Sequence, residues 1–158
     1  MGRRTGIHGG GTALFRLVRF WARRWVLHAA GSTAERARVR HLLLLEAVDA
    51  AARGGDVSIS DVATELGIDR SGASRLAKEA EAAGYVCKVP SGEDARRAVL
   101  TLTAKGREVL EDARVWQEEV FADLVSHWPK AEAAGLASGL RRLAAEVPPT
   151  TPQEEKAR

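Results

Sequence analysis

The chain has 158 residues, 45% of them apolar and 28% charged, with a formal charge of +3 and a single cysteine. That length suits one ordinary domain, or a small domain with an oligomerisation arm, and the composition is globular rather than disordered. One cysteine excludes an intrachain disulfide, and an apolar run from Ala13 to Leu27 interrupted by Arg16, Arg19, Arg23 and Arg24 excludes a membrane-spanning segment there. A cytoplasmic protein with no membrane association is expected.

Residues 1–11 open with MGRRTGIHGG and read as a flexible leader. Leu14, Leu17, Val18, Trp21, Trp25 and Val26 then recur at three- and four-residue steps, which predicts a helix over about 12–29. Gly31 ends it, and Ser32 with Glu35 forms a capping-box pattern that opens a second helix reaching Arg53, before Gly54 and Gly55. Val57, Ser58 and Ile59 are strand-like but long enough for one bridge only.

Ser60 is expected to cap a brief third helix, with Val62, Ala63 and Leu66 facing inward and Gly67 as its left-handed stop. Asp69 is expected to cap a fourth, with Ala73, Leu76, Ala77 and Ala80 as the buried stripe and Gly84 as its end. Two short helices joined by a glycine-containing turn make a helix-turn-helix. Residues 85–89 and 97–102 are strand-like around the turn chemistry of PSGED, giving a β-hairpin. Thr103 caps a long fifth helix of about six turns, in which Val109, Leu110, Ala113, Trp116, Val120, Phe121 and Leu124 keep helical spacing. A sixth helix starts with Pro129 in its first turn and runs to about Val147, followed by a disordered tail over 148–158. The predicted fold class is mainly α with a small β-hairpin wing, a winged helix-turn-helix.

The segment from Asp61 to Val86 followed by DARRAVLTLTAKG resembles the MarR (multiple antibiotic resistance regulator) family of winged-helix regulators. The pattern Asp, any residue, Arg, five residues, Leu-Thr, two residues, Gly falls on Asp94, Arg96, Leu102, Thr103 and Gly106. Departures are Ala73 and Ala80, where larger aliphatics are usual, and Tyr85 in place of a leucine. The resemblance implies a homodimeric transcriptional regulator, most simply a repressor, bound to a pseudo-palindromic site in double-stranded DNA. Residues 32–103 would be the DNA-binding domain, with 12–31 and 104–147 forming the dimerisation region.

Arg70, Ser71, Ser74, Arg75 and Lys78 are the polar side chains of the fourth helix nearest its start. Ser71, Ser74, Arg75 and Lys78 share one face, opposite the alanine stripe. Such a face suits the major groove, where an arginine can bond bidentately to guanine. In the hairpin, the resemblance implies Arg96 as the wing-tip contact to a minor groove and Asp94 as the carboxylate that braces its side chain; strand alternation turns Arg97 to the opposite face, near phosphate. Charge placement has to carry the binding, because residues 56–103 hold eight acids against six bases. Residues 1–30 hold six arginines and no acid, whereas 104–127 hold six acids and three bases, so these two segments are expected to meet.

The resemblance also implies a small aromatic or anionic effector between dimer helices and wing, for which Trp21, Trp25, His41 and Trp116 are the candidates, although an aromatic stripe at helical spacing is more often core. No cofactor is expected: His8, His28, His41, His127 and Cys87 have no metal-ligand spacing, and no phosphate loop or nucleophile elbow occurs. An enzyme is therefore not expected. The rival readings are a winged helix used for protein interaction and a redox-responsive regulator acting through Cys87 on the first wing strand.

Overall fold

The computed structural model describes residues 9–28, 33–92, 94 and 96–147. The leader before Gly9, the Gly31–Ser32 helix boundary and the tail from residue 148 lie outside the described residues, as do the side chains of Arg24 to His28 and of Thr33 to Arg36. The element order is α1 (Gly10–His28), α2 (Thr33–Ala52), α3 (Ile59–Leu66), α4 (Arg70–Ala82), β1 (Val86–Pro90), β2 (Ala98–Leu102), α5 (Ala104–Leu124) and α6 (Lys130–Ala145). This is the predicted class, six helices and one hairpin. The chain divides into two units, Met1–Arg40 and His41–Arg158, with the division inside α2.

In the first unit, α1 carries the expected amphipathic pattern. Phe20 and Trp21 meet edge to face at 5.9 Å, and the Arg19 guanidinium lies 5.9 Å from the centre of the Phe15 ring. Leu14, Phe15, Leu17 and Val18 are exposed.

The second unit is built on a core of small aliphatics. Leu44, Leu45, Ala47 and Val48 of α2 pack with Val57, with Val62 and Ala63 of α3, and with Ala73, Ala77 and Ala80 of α4. Val86, Leu100 and Leu102 of the hairpin and Leu110 of α5 close it. Among the described residues this core cluster holds no Phe, Trp or Tyr; Tyr85 packs partly buried against it.

The start of α3 differs from the sequence expectation. Ser58, not Ser60, is its N-cap, and Ile59 is its first residue rather than the end of a strand. The cause is a reciprocal capping box, in which Asp61 N–H donates to Ser58 Oγ at 3.2 Å and the Asp61 carboxylate accepts from Ser58 N–H at 2.8 Å. The expected bridge survives as one bond, Leu100 N–H to the Val57 carbonyl at 2.8 Å. Gly67 takes the left-handed conformation (φ 64°) that stops the helix, as expected.

β1 and β2 are antiparallel, with Val86 opposite Leu102 and Pro90 opposite Ala98. Thr103 caps α5 as expected, accepting from Gly106 N–H at 3.0 Å. Its hydroxyl also reaches back to the Gly84 carbonyl at 2.7 Å, the Lys105 ammonium donates to the Ala83 carbonyl at 2.8 Å, and Arg107 Nη1 donates to the Leu102 carbonyl at 2.8 Å. The end of α4, the hairpin and the start of α5 are thus tied together. Pro129 occupies the N-cap of α6 rather than its first turn, because its ψ of 136° is extended. Val115, Leu124, Trp128, Leu143 and Val147 remain exposed on α5, α6 and their flanks, and α6 has no buried residue.

Candidate nucleic-acid interface

The beginning of α4 is shaped by Asp69. Its carboxylate accepts from Gly72 N–H at 2.9 Å and from the Ser71 hydroxyl, and these two bonds, the hydroxyl first, hold its pKa below the ordinary aspartate range. Gly72 fits the same cap: a β-carbon there would stand 3.2 Å from Asp69 Oδ2 and 3.7 Å from Ile68 Cδ1. The glycine that costs helix propensity therefore leaves room for the cap.

Around this start, Arg70, Ser71, Arg75 and Lys78 are exposed and Ser74 is half-buried, while Ala73, Ala77 and Ala80 are buried on the opposite side. Ser71, Ser74, Arg75 and Lys78 thus share the face opposite the buried alanines, and Arg70 is exposed in the first turn. The Ser71 hydroxyl already donates to Asp69, so its remaining capacity is to accept.

The wing has its own network. Ser91, only 5% exposed, follows the last residue of β1; its N–H donates to the Arg97 carbonyl at 2.8 Å and its hydroxyl donates to the Asp56 carboxylate. The same hydroxyl accepts from Asp94 N–H at 3.2 Å. Asp94 in turn accepts from Arg96 N–H on its carboxylate at 3.0 Å and from Arg97 N–H on its carbonyl at 2.8 Å.

Asp94, Arg96 and Arg97 are exposed. Asp94 braces Arg96 through the backbone amide; among the described residues no ion pair joins the two side chains, so the expected guanidinium brace is replaced by an Asx-type turn. Arg97 is near enough to Asp61 to help lower that carboxyl's pKa, after the larger effect of the Ser58 hydrogen bonds.

Further placements escape the sequence. Asp56 and Ser91 are 35 residues apart, and nothing local in either segment signals their contact. Arg114 of α5 donates to Glu46 at 2.9 Å and to Asp49 at 2.7 Å on α2, and these carboxylates raise its pKa above the ordinary arginine value. Lys88 is 3.3 Å from Glu81, which turns that acid toward β1.

The effector candidates are divided between the two units, Trp21 and Trp25 in the first and His41 and Trp116 in the second. Trp21 is half-buried in α1, and the Trp25 side chain lies outside the described residues. His41 is 8% exposed and meets Tyr85 edge to face at 5.6 Å, and Trp116 is half-buried on α5. An open groove of about 380 Å³ lies instead between the end of α2 and α3, with Asp56, Asp61 and Glu65 in its wall, a lining that would repel an anion. Cys87 is half-buried opposite Thr101 on the hairpin. Among the described residues no three His, Cys, Asp or Glu side chains are grouped to hold a metal, and no helix is long and apolar enough to cross a membrane.

The profile of the MarR family matches residues 38–97, from α2 to the wing tip. That stretch, and the hairpin that follows α4, thus match a MarR-type winged helix. A curated relative is the HTH-type transcriptional regulator BilQ of Clostridioides difficile (strain CD3), 37% identical over 57 residues that make up 36% of this chain and 38% of that protein. The matched part thus spans well under half of that relative. In three dimensions the chain is similar to a MarR family protein from Bacillus stearothermophilus, with a TM-score of 0.62 and 18% identity over 92% of this chain and 97% of that one. It is also similar to S. aureus MepR bound to ethidium bromide, with a TM-score of 0.58 and 17% identity over 85% and 94% of the two chains. These two likenesses are of fold alone and reach beyond residues 38–97.

Proposed function

We propose that the chain is a transcriptional regulator that binds double-stranded DNA as a homodimer. The observation that carries this reading is the pairing, on one domain, of a helix whose first turns expose Arg70, Arg75 and Lys78 and a hydrogen-bonded turn that exposes Arg96 and Arg97. An α-helix fits the major groove and its first residues meet base edges, while an arginine on a projecting turn suits the negative potential of a narrow minor groove. Arg75 supplies bidentate recognition of guanine, Lys78 and Arg97 neutralise phosphate, and Ser71 accepts from the amino group of a base.

Apolar side chains exposed on α1, and separately on α5 and α6, support a second copy as the partner, which would make the site twofold symmetric. Repression by blocking polymerase is the simplest consequence, relieved by a small aromatic or anionic effector that alters the distance between the two α4 helices. DNA selected from random sequence by the purified protein should contain an inverted repeat with half-sites near one helical turn apart, and Arg96→Ala should weaken binding to it. Failure to enrich any duplex, with a single subunit by light scattering, would overturn this function.

A second reading, a winged helix that binds protein, is favoured by the acids that accompany the basic residues: Glu81 beside Lys88, and Asp61 near Arg97. It predicts that Arg96→Ala changes nothing in a DNA assay.

A further inference from the structure

We infer that Asp56, acting through the buried hydroxyl of Ser91, is a positioning residue that sets the pose of the wing tip and thereby of Arg96 and Arg97. The inference rests on the DNA-binding reading above and names the part of the chain that holds its wing.

Asp56 belongs to the connection between α2 and α3, outside the hairpin. A two-stranded hairpin with five residues in each strand is marginal by itself, and its far end is free to twist and fray unless the body of the domain holds it. Two ties meet this need, and adjacent residues supply them. The Val57 carbonyl accepts from Leu100 N–H at 2.8 Å and holds β2, while the Asp56 carboxylate takes the Ser91 hydroxyl and holds the end of β1. Fixing both strands from one short connection sets the tilt of the hairpin.

From Ser91 the bonds run on without a break to the arginines. The Ser91 hydroxyl accepts from Asp94 N–H, the Asp94 carboxylate accepts from Arg96 N–H, and the Ser91 amide and Asp94 carbonyl close on the backbone of Arg97. The first bond in the series, hydroxyl to carboxylate, is of the charge-assisted kind, and the Ser91 end, 5% exposed, is shielded from water while the Asp56 end faces the open groove. A turn ordered before binding presents its side chains without a further loss of backbone freedom at the moment of contact. Among the described residues the hydrogen bond of Asp56 is to Ser91 and not to an arginine, so it acts by holding the turn.

The test uses the full chain and a duplex that the wild-type protein has selected from random-sequence DNA, with affinity read by fluorescence anisotropy. Ser91→Ala and Asp56→Ala are expected to weaken binding about tenfold each, the size of one lost buried hydrogen bond. Asp56→Asn and Ser91→Thr, which keep an acceptor and a hydroxyl, are expected to lose less. In an Arg96→Ala, Arg97→Ala background, Ser91→Ala should have no further effect, since there is then no side chain to position; a melt by circular dichroism confirms that each variant is folded. An equal loss in both backgrounds, or an indifferent Ser91→Ala and Asp56→Ala where Arg96→Ala still weakens binding, overturns the positioning role and leaves the DNA reading intact. If the wild-type protein binds DNA and the arginine double variant binds it equally well, both the wing reading and this inference fall.

Discussion

Gly106 sits so close to Tyr85 that a β-carbon on it would overlap the Tyr85 carbonyl oxygen and crowd the carbonyl carbon at 2.9 Å. The opposing atoms are backbone, in the segment that joins α4 to β1 and receives Thr103 N–H at 3.0 Å, so no side chain can swing aside to make room. Gly106→Ala should therefore force the first turn of α5 away from the end of α4, at about 1–3 kcal/mol of stability. Urea unfolding of the two proteins measures this; a difference under about 0.5 kcal/mol, the usual scatter of a neutral surface change, would show that the approach is looser than described.

The start of α3 predicts a pH dependence. The Ser58 hydroxyl and amide hold the Asp61 carboxyl below its ordinary value of 3.8. A carboxyl whose pKa is lowered by folding contributes stability that is complete above its unfolded value and is lost as pH falls through the folded one. Asp61→Asn should thus be less stable than wild type at neutral pH, and the gap should close below about pH 4 as the wild-type carboxyl takes up its proton. A gap that stays constant down the acid limb would contradict it. Ser58→Ala should cost about 1 kcal/mol at neutral pH, as lost helix caps do.

Arg114 clasps α2 to α5 through Glu46 and Asp49. The side chains are about one-third exposed, so solvent screens the pair and its contribution is modest. Arg114→Gln should lose about 0.5–1 kcal/mol in low salt and less at high ionic strength. A double-mutant cycle with Asp49→Asn should give a coupling of the same sign; additive effects would mean that the clasp carries no energy.

Two DNA variants separate base reading from phosphate neutralisation on α4. Arg75→Lys keeps the charge but loses the bidentate fork, so affinity for the selected site should fall by about 1–3 kcal/mol while binding to unrelated DNA is little changed. Lys78→Ala should weaken all sequences alike and reduce the slope of log affinity against log salt by about one unit. Equal losses on selected and unrelated DNA for both variants would remove the helix from the base-reading role.

Legibility in the sequence follows how local each signal is. Thr103 and Asp69 are legible as caps because each bonds an amide three residues onward, within the reach of a sequence pattern. The opening of α3 is harder to place, and the sequence expectation misses it by two residues, since Ser58 and Ser60 are both good caps and only the Asp61 carboxylate, three after Ser58, decides between them. The sequence suggests Asp94 as a partner for a guanidinium, yet a short side chain two residues ahead reaches the intervening backbone amide first. Asp56 with Ser91, and Arg114 with Glu46 and Asp49, join segments 35, 68 and 65 residues apart and follow only from the packed fold.

The alanines beneath α4 have a consequence for how such a protein can change. Ala73 and Ala80 have no exposed surface and Ala77 has almost none, so the helix rests as low on the core as a side chain allows. Each added methyl group there would act as a shim, raising the helix and shifting Arg75 outward. The altitude of the exposed face of α4 is thus fixed from below by missing carbon atoms, and, if that face reads DNA as proposed, drift in those three positions would retune recognition without altering any contacting residue.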